Sequence, residues 1–150
     1  FGIEPSEQMV RYAENVSKIK NITCSDYNKA SYPDEHFDVI HCYHSFEHVL
    51  SLGDTLQAMN FHLKPGGVLS ISVPGIDYIE SEDDYKKVLG YGHIYCFSEK
   101  WFDLNLPRYG FEIFDIQKNR FDAKKIKNIN LCLNGDHPGG IWVLARKVNH

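Results

Sequence analysis

The stretch HSFEHVL, residues 44–50, contains the pattern H-x-x-E-H, formed by His44, Glu47 and His48. One class of zinc protease orders its histidine ligands and its general base in this way. Such a site needs both histidines on one face of a helix and a third protein ligand. His44 directly follows an apolar, strand-like run, and Glu112, the candidate third ligand, lies in another such run. The pattern therefore favours a strand-to-helix turn, and we expect no metal site.

The elements around this stretch alternate between strands and helices. Apolar runs predict strands over 1–4, 21–26, 37–43, 68–74, 111–117 and 141–147. Helical periodicity predicts helices over 5–18 and 46–63, and two shorter helices after Ser81 and Ser98. This alternation is typical of an α/β domain, and the nearly continuous apolar run at 68–74 indicates a strand that is buried on both faces of a parallel sheet.

Two helices carry apolar residues at helical spacing. The first stripe consists of Met9, Ala13 and Val16, in a helix that Ser6 can cap at its N-terminus. The second consists of Leu52, Leu56, Met59 and Leu63. Gly110 follows the helix after Ser98 and is predicted to end it.

Length and charge limit the domain count and the partners. The chain has 150 residues of which 43% are apolar, so we expect one domain over 1–150. Its 16 basic and 20 acidic side chains give a net charge of −4, and no Lys/Arg run suits a phosphate backbone, which argues against nucleic acid. No apolar run approaches the ~18 residues of a membrane span, so we expect no membrane partner.

The four cysteines indicate a reducing compartment. Cys24, Cys42, Cys96 and Cys132 are widely spaced, and none forms the C-x-x-C pairs of zinc ribbons or redox sites. Most of them sit beside apolar residues, which predicts buried, reduced thiols. We therefore expect the protein in the cytoplasm.

Three phrases resemble a known family. FDVIHCYHSFEHV, then LKPGGVLSISVP, is similar to the fourth strand, the following helix and the fifth strand of the Rossmann-like S-adenosylmethionine-dependent methyltransferases, in their small-molecule branch, and GIWVLARK resembles their last strand. The resemblance implies a three-layer α/β sandwich whose mostly parallel sheet has an antiparallel last strand. It also implies S-adenosylmethionine as cofactor and methyl transfer to a small-molecule substrate.

The resemblance assigns the cofactor-binding residues as well. Glu4, at the end of the first strand, resembles the acid that accepts hydrogen bonds from both ribose hydroxyls. Asp26 resembles the acid that accepts from the adenine amine, and the backbone amide of Tyr27 would donate to a ring nitrogen. Tyr43 would line the cleft near the methyl donor.

Two histidines are candidate catalytic bases. His93, in the aromatic loop GHIYCFS, resembles a position where related enzymes place a histidine that faces the substrate, and His44 would lie beside the donor. A base is needed only where the acceptor loses a proton on methylation.

One part of the family pattern is absent from the sequence. The glycine-rich loop after the family's first strand has no counterpart here, and the resemblance begins at the second strand, so we expect an N-terminally truncated domain that lacks the first strand. That strand normally separates the second strand from the fourth. Its absence predicts that the chain pairs these two strands directly or borrows a strand from a second copy as a homodimer, and that it binds the donor weakly.

Two other functions compete with methyl transfer. The first is a non-catalytic, methyltransferase-like module that acts in protein assembly, since the glycine-rich loop is missing. The second is a nicotinamide-dependent dehydrogenase, which also carries an acid at a strand end, but LKPGG and GIWVLARK argue against it.

Overall fold

A computed structural model describes residues 1–90, 92–120 and 136–148 of the chain. The chain divides into two compact units, Phe1–Pro33 and Asp34–His150. The single domain expected over 1–150 stays a prediction.

The first unit consists of two parallel strands and one helix. Strand β1, Gly2–Glu4, pairs with strand β2, Ile22–Cys24, and Glu4 lies opposite Cys24. Helix α1, Glu7–Asn15, connects them. A 3-10 turn at Tyr27–Lys29 follows β2.

The predicted helix and its N-cap are confirmed. The Ser6 hydroxyl accepts a hydrogen bond from the backbone N–H of Met9. Val10 is the buried residue of the helix, whereas Met9 and Val16 are 53% and 60% exposed. Helix α1 contacts both β1 and β2.

The second unit is built on a four-stranded sheet. Its strands are β3 at Phe37–Tyr43, β4 at Leu63–Pro74, β5 at Phe111–Arg120 and β6 at Asp136–Lys147, in the order β3-β4-β6-β5. Strands β3 and β4 are parallel, and β6 runs antiparallel to both β4 and β5. The predicted antiparallel last strand is confirmed.

Strand β4 forms the centre of this sheet and much of the core. Every residue from Gly67 to Pro74 is buried, as the apolar run predicts. Phe111 on β5 and Trp142 on β6 are also buried, at 1% and 2% exposure. The burial of β4 on both faces agrees with the predicted α/β class.

Three α-helices lie between the strands of this sheet along the sequence. They are α2 at Leu52–His62, α3 at Glu82–Leu89 and α4 at Glu99–Asn105. Ser81 and Ser98 cap α3 and α4 as predicted, because each hydroxyl accepts a backbone N–H from the first turn. A 3-10 turn extends α4 to Tyr109, and Gly110 ends it in the left-handed region with φ 76°.

The single helix predicted over 46–63 is instead two separate pieces. Phe46–His48 forms a 3-10 turn, and α2 begins only after Ser51, whose hydroxyl accepts the backbone N–H of Asp54. Leu63, predicted to end the helix, is the first residue of β4. The Ser51 cap therefore divides the predicted helix.

The two predicted neighbours of the absent strand lie in different units. Strand β1 belongs to the two-stranded sheet of the first unit and β3 to the four-stranded sheet of the second. Direct pairing of these strands, one of the two expected responses, stays a prediction. Among the helices of the described ranges, none is long and apolar enough to cross a membrane.

The cysteines differ in their surroundings. Cys42 is buried within β3, and burial raises the pKa of its thiol to about 12. Cys24 is exposed, contrary to the prediction of buried thiols. Cys132 lies outside the described residues.

Leu56→Ala should destabilise the chain much more than Leu104→Ala. Leu56 on α2 is fully buried, whereas Leu104 on α4 is 54% exposed. The first change leaves a core cavity and should lower the free energy of unfolding by about 2 to 5 kcal/mol, and the second by no more than about 0.5 kcal/mol. Urea unfolding of both variants measures the difference. Equal losses would contradict the assignment of α2 to the core.

Candidate functional site

The site in the second unit begins where β3 ends. His44 follows Tyr43 with φ 47°, a left-handed conformation that is uncommon for a residue other than glycine. Its backbone N–H donates to the Ser72 carbonyl at 2.9 Å, which ties the turn to β4. Uncommon backbone conformations of this kind concentrate at functional sites.

The turn after His44 is anchored by an aromatic side chain. Phe46 is fully buried and stacks on Phe97, with 5.4 Å between the ring centroids. Because Phe46 fixes the 3-10 turn Phe46–His48 against the core, the neighbouring Glu47 is also buried, with 0% exposure.

A second segment is bound to the same turn through its backbone. The Glu47 carbonyl accepts hydrogen bonds from the N–H groups of Ile94 at 3.0 Å and Tyr95 at 3.2 Å. The Tyr95 hydroxyl donates to the Leu50 carbonyl at 3.1 Å. These bonds hold the loop that carries His93 beside the turn that carries Glu47.

Three histidines surround the Glu47 carboxylate. Glu47 Oε1 lies 3.4 Å from His44 Nδ1, 4.0 Å from His48 Nε2 and 4.0 Å from His93 Nε2. The side chain of His93 is 8% exposed, and that of His48 is 42% exposed. The cluster thus reaches from a buried carboxylate to the surface of the unit.

The outer ring nitrogens of two histidines bind backbone carbonyls. His48 Nδ1 lies 3.3 Å from the Gly92 carbonyl oxygen, and His93 Nδ1 lies 2.8 Å from the Val88 carbonyl oxygen. A carbonyl oxygen only accepts, so each Nδ1 carries the proton. In the neutral rings, Nε2 therefore presents a lone pair towards Glu47.

An aromatic group lies next to the cluster. The Tyr43 ring is 48% exposed, with its centroid 4.6 Å from that of His44 and 5.6 Å from that of Trp142. His41 stacks on Trp142 at 6.0 Å and places Nδ1 3.1 Å from the Ser70 hydroxyl. Burial lowers the pKa of His41.

The first unit carries the predicted cofactor-binding acids. Glu4 is the last residue of β1, and Asp26 comes shortly after β2, at the paired carboxyl ends of the two strands. Glu4 Oε1 accepts the backbone N–H of Ser6 at 2.8 Å, and Asp26 Oδ2 accepts from Lys29 Nζ at 2.8 Å. The hydrogen bond with Asp26 raises the pKa of Lys29. Tyr27 directly follows Asp26 and begins the 3-10 turn.

The predicted site residues thus fall into two groups, each within one unit. Glu4, Asp26 and Tyr27 lie together in the first unit, and Tyr43, His44 and His93 lie together in the second.

Sequence reasoning did not identify the centre of the second group. Glu112, the expected partner of the H-x-x-E-H pattern, lies on β5 opposite Arg146, and His93 takes the place beside Glu47. The H-x-x-E-H pattern, which contains Glu47, was the signal in the sequence that could have identified this centre. The position of His93 depends on long-range bonds that residue spacing does not encode.

Comparison with known proteins gives a consistent family match. A family model described as "Methyltransferase domain" matches residues 1–116, about three quarters of the chain. A comparison with curated proteins finds no match.

Solved structures share the fold at low sequence identity. One match is to an S-adenosylmethionine-dependent methyltransferase from Methanosarcina mazei. It covers 99% of this chain and 82% of that one, with 15% identity and a TM-score of 0.74. A second match is to an S-adenosylmethionine-dependent methyltransferase from Mesorhizobium loti. It covers 97% of this chain and 78% of that one, with 19% identity and a TM-score of 0.68.

A third structure is that of a complex. It joins the Haloferax volcanii Trm112 methyltransferase activator to a methyltransferase candidate, and the match covers 99% of this chain and 72% of that one, with 14% identity and a TM-score of 0.74. These matches confirm the predicted α/β fold class.

His41→Gln should reduce the dependence of stability on pH. Because burial lowers the pKa of His41, the unfolded chain takes up a proton more readily than the folded chain as the pH falls below about 6.5. The free energy of unfolding should therefore decrease over this range, and less steeply in the variant. Urea unfolding at several pH values tests this, with the exposed His36→Gln as control. Identical slopes in the two variants would contradict it.

Proposed function

Because the chain belongs to the methyltransferase domain family, which its residues 1–116 match, we propose that it transfers a methyl group from S-adenosylmethionine to a small-molecule acceptor. The observation that carries the proposal is the placement of Glu4 and Asp26 after two paired, parallel strands in the matched region. Ligands of open α/β sheets bind outside the carboxyl ends of the strands. The two similar structures described as S-adenosylmethionine dependent support the choice of donor.

The acids of the first unit fit the polar groups of this donor. A carboxylate accepts from two hydroxyls at once, which suits Glu4 and a ribose. The bond from the Ser6 N–H holds Glu4 Oε1 in a fixed position at the end of β1. Asp26 pairs with Lys29 on the surface, where solvent screens the interaction, so an adenine amine can replace it. The backbone amide of Tyr27 is proposed as the donor to the adenine ring.

The second unit offers the groups that would act on the acceptor. When bound, S-adenosylmethionine supplies a methyl group on a positively charged sulfur, and the acceptor atom displaces the sulfur in line. The chain's task is to hold the two reactants in that line, with the Tyr43 ring as one wall. Where the acceptor is a hydroxyl or an ammonium group, its proton passes to His44 or His93, which both lie beside the Glu47 carboxylate.

Charge and cysteine chemistry support a small acceptor in the cytoplasm. The net charge of −4 and the lack of a basic run in the sequence disfavour a nucleic acid acceptor. Cys24, Cys42 and Cys96 are free thiols, which suits a reducing compartment.

A second candidate function is an assembly role. The matched Haloferax volcanii structure is a complex with a methyltransferase activator. Helix α1 exposes Met9, Tyr12 and Val16 at 53%, 55% and 60%. An exposed apolar face of this kind suits a protein partner, either an activator or a second copy in a homodimer.

Glu4→Ala and Asp26→Ala should each weaken donor binding. Removing one partner of a ligand hydrogen bond costs about 1 to 3 kcal/mol, or about 5-fold to 150-fold in the dissociation constant. Saturation-transfer NMR with S-adenosylhomocysteine measures this and also detects weak complexes. The exposed Glu14→Ala on α1 is the matched control, and circular dichroism verifies folding.

Equal affinity in both acid variants and the control would remove the cofactor assignment. Absence of any donor signal in the parent chain, together with a stable dimer or activator complex by light scattering, would favour the assembly role.

A further inference from the structure

The Glu47 carboxylate lies in a costly environment. Its side chain is 0% exposed, and within the described part of the chain neither Oε1 nor Oε2 has a hydrogen-bond partner. A buried carboxylate without hydrogen bonds is strongly unfavourable unless a positive charge lies next to it. A cation bound next to this carboxylate would therefore offset the cost of its burial.

Two histidines direct lone pairs to this carboxylate. The Nδ1 atoms of His48 and His93 donate to the carbonyls of Gly92 and Val88, which leaves each Nε2 facing Glu47 Oε1 at 4.0 Å. This is the arrangement of metal-binding histidines, whose second nitrogen donates to a carbonyl or carboxylate and so fixes the tautomer and the ring orientation. Three electron-pair donors without a proton between them repel each other unless a cation binds at their centre.

The spacing also suits a shared ion. One ligand atom each from Glu47, His48 and His93 lies within 4.8 Å of the others. An ion at about 2.1 Å from each atom requires the atoms to be about 3.0 to 3.4 Å apart, so the side chains need to close by roughly 1 Å. His48 is 42% exposed, which leaves it room to move.

We propose that Glu47, His48 and His93 bind a divalent transition metal ion of the zinc type. Two imidazoles and one carboxylate are a known ligand set for zinc and leave a fourth position open. His48 lies at the solvent side, so this position takes water or an oxygen of a bound small molecule. His44, with Nδ1 3.4 Å from Glu47 Oε1, supports the carboxylate from the other side. This reverses the expectation of no metal site.

The site is not the one that the H-x-x-E-H pattern suggests. In the zinc proteases both histidines of the pattern are ligands on one helix, with the glutamate as base. Here His44 has φ 47° before the turn, Glu47 is itself a ligand, and His93 comes from another loop. The inference bears on the proposed function at one residue, because a metal-bound His93 has no free ring nitrogen and would leave His44 as the base for methyl transfer.

A protonated histidine is the competing source of positive charge. An imidazolium of His48 or His93 would donate Nε2–H directly to Glu47, but a distance of 4.0 Å exceeds the range of such a bond. His44 Nδ1 lies closer, at 3.4 Å, but Glu47 Oε1 accepts no hydrogen bond from it. Titration with an added metal ion separates the two cases, because only a metal site gives saturable binding of that ion.

The test is a titration of the chelator-treated chain with Zn²⁺ by calorimetry, repeated with Co²⁺, whose visible absorption reports its ligands. We expect one ion per chain. His48→Asn, His93→Asn and Glu47→Gln should each weaken binding at least about tenfold. His36→Asn, an exposed histidine outside the cluster, should leave it unchanged. Absence of saturable binding, or equal binding in all variants, would overturn the proposal.

Thermal unfolding guards against misfolded variants. Without metal, Glu47→Gln should be at least as stable as the parent, because it removes a buried charge that lacks hydrogen bonds. Added Zn²⁺ should raise the melting temperature of the parent and of His36→Asn but not of Glu47→Gln. Equal shifts in all three would refute the site. Since no donor is present, these outcomes are independent of the tests of methyl transfer.

Discussion

The central strand β4 must pair its backbone on both edges because Gly67 to Pro74 are buried. Strand β3 satisfies one edge and β6 the other. Beyond the regular ladder, the Ser72 carbonyl accepts the His44 N–H, and the Ile76 N–H donates to the Phe97 carbonyl. The segment that begins at His44 and the segment that ends at Phe97 are therefore both hydrogen-bonded to the chain at the carboxyl end of β4. The histidine cluster forms where these bonds complete the backbone pairing of β4.

Local signals in the sequence were sufficient for most elements. Ser6, Ser81 and Ser98 were predicted as caps, and each hydroxyl accepts a backbone N–H in the first turn of its helix. A cap depends on residues within one turn, so its prediction needs no tertiary information. The division at Ser51 was missed because the stripe of Leu52, Leu56, Met59 and Leu63 lies wholly after the cap and does not mark where the helix begins.

The candidate site was only half predictable. The acids Glu4 and Asp26 follow strands, and strand ends can be read from apolar runs and from the family resemblance. The centre at Glu47 could not be read in this way. It depends on the burial of Phe46 against Phe97 and on two N–H groups that bind the Glu47 carbonyl. These contacts bring together segments more than forty residues apart, for which residue types alone give no register.

The position of β6 in the sheet has a consequence for folding during synthesis. Strand β6 is made after every other strand described, yet it lies between β4 and β5. Until it leaves the ribosome, β4 has one open edge and β5 has no partner among the described strands. Non-local pairing of this kind slows folding and exposes an apolar edge. We therefore expect a chaperone to stay bound to the nascent chain until Asp136–Lys147 has emerged and can pair with β4 and β5.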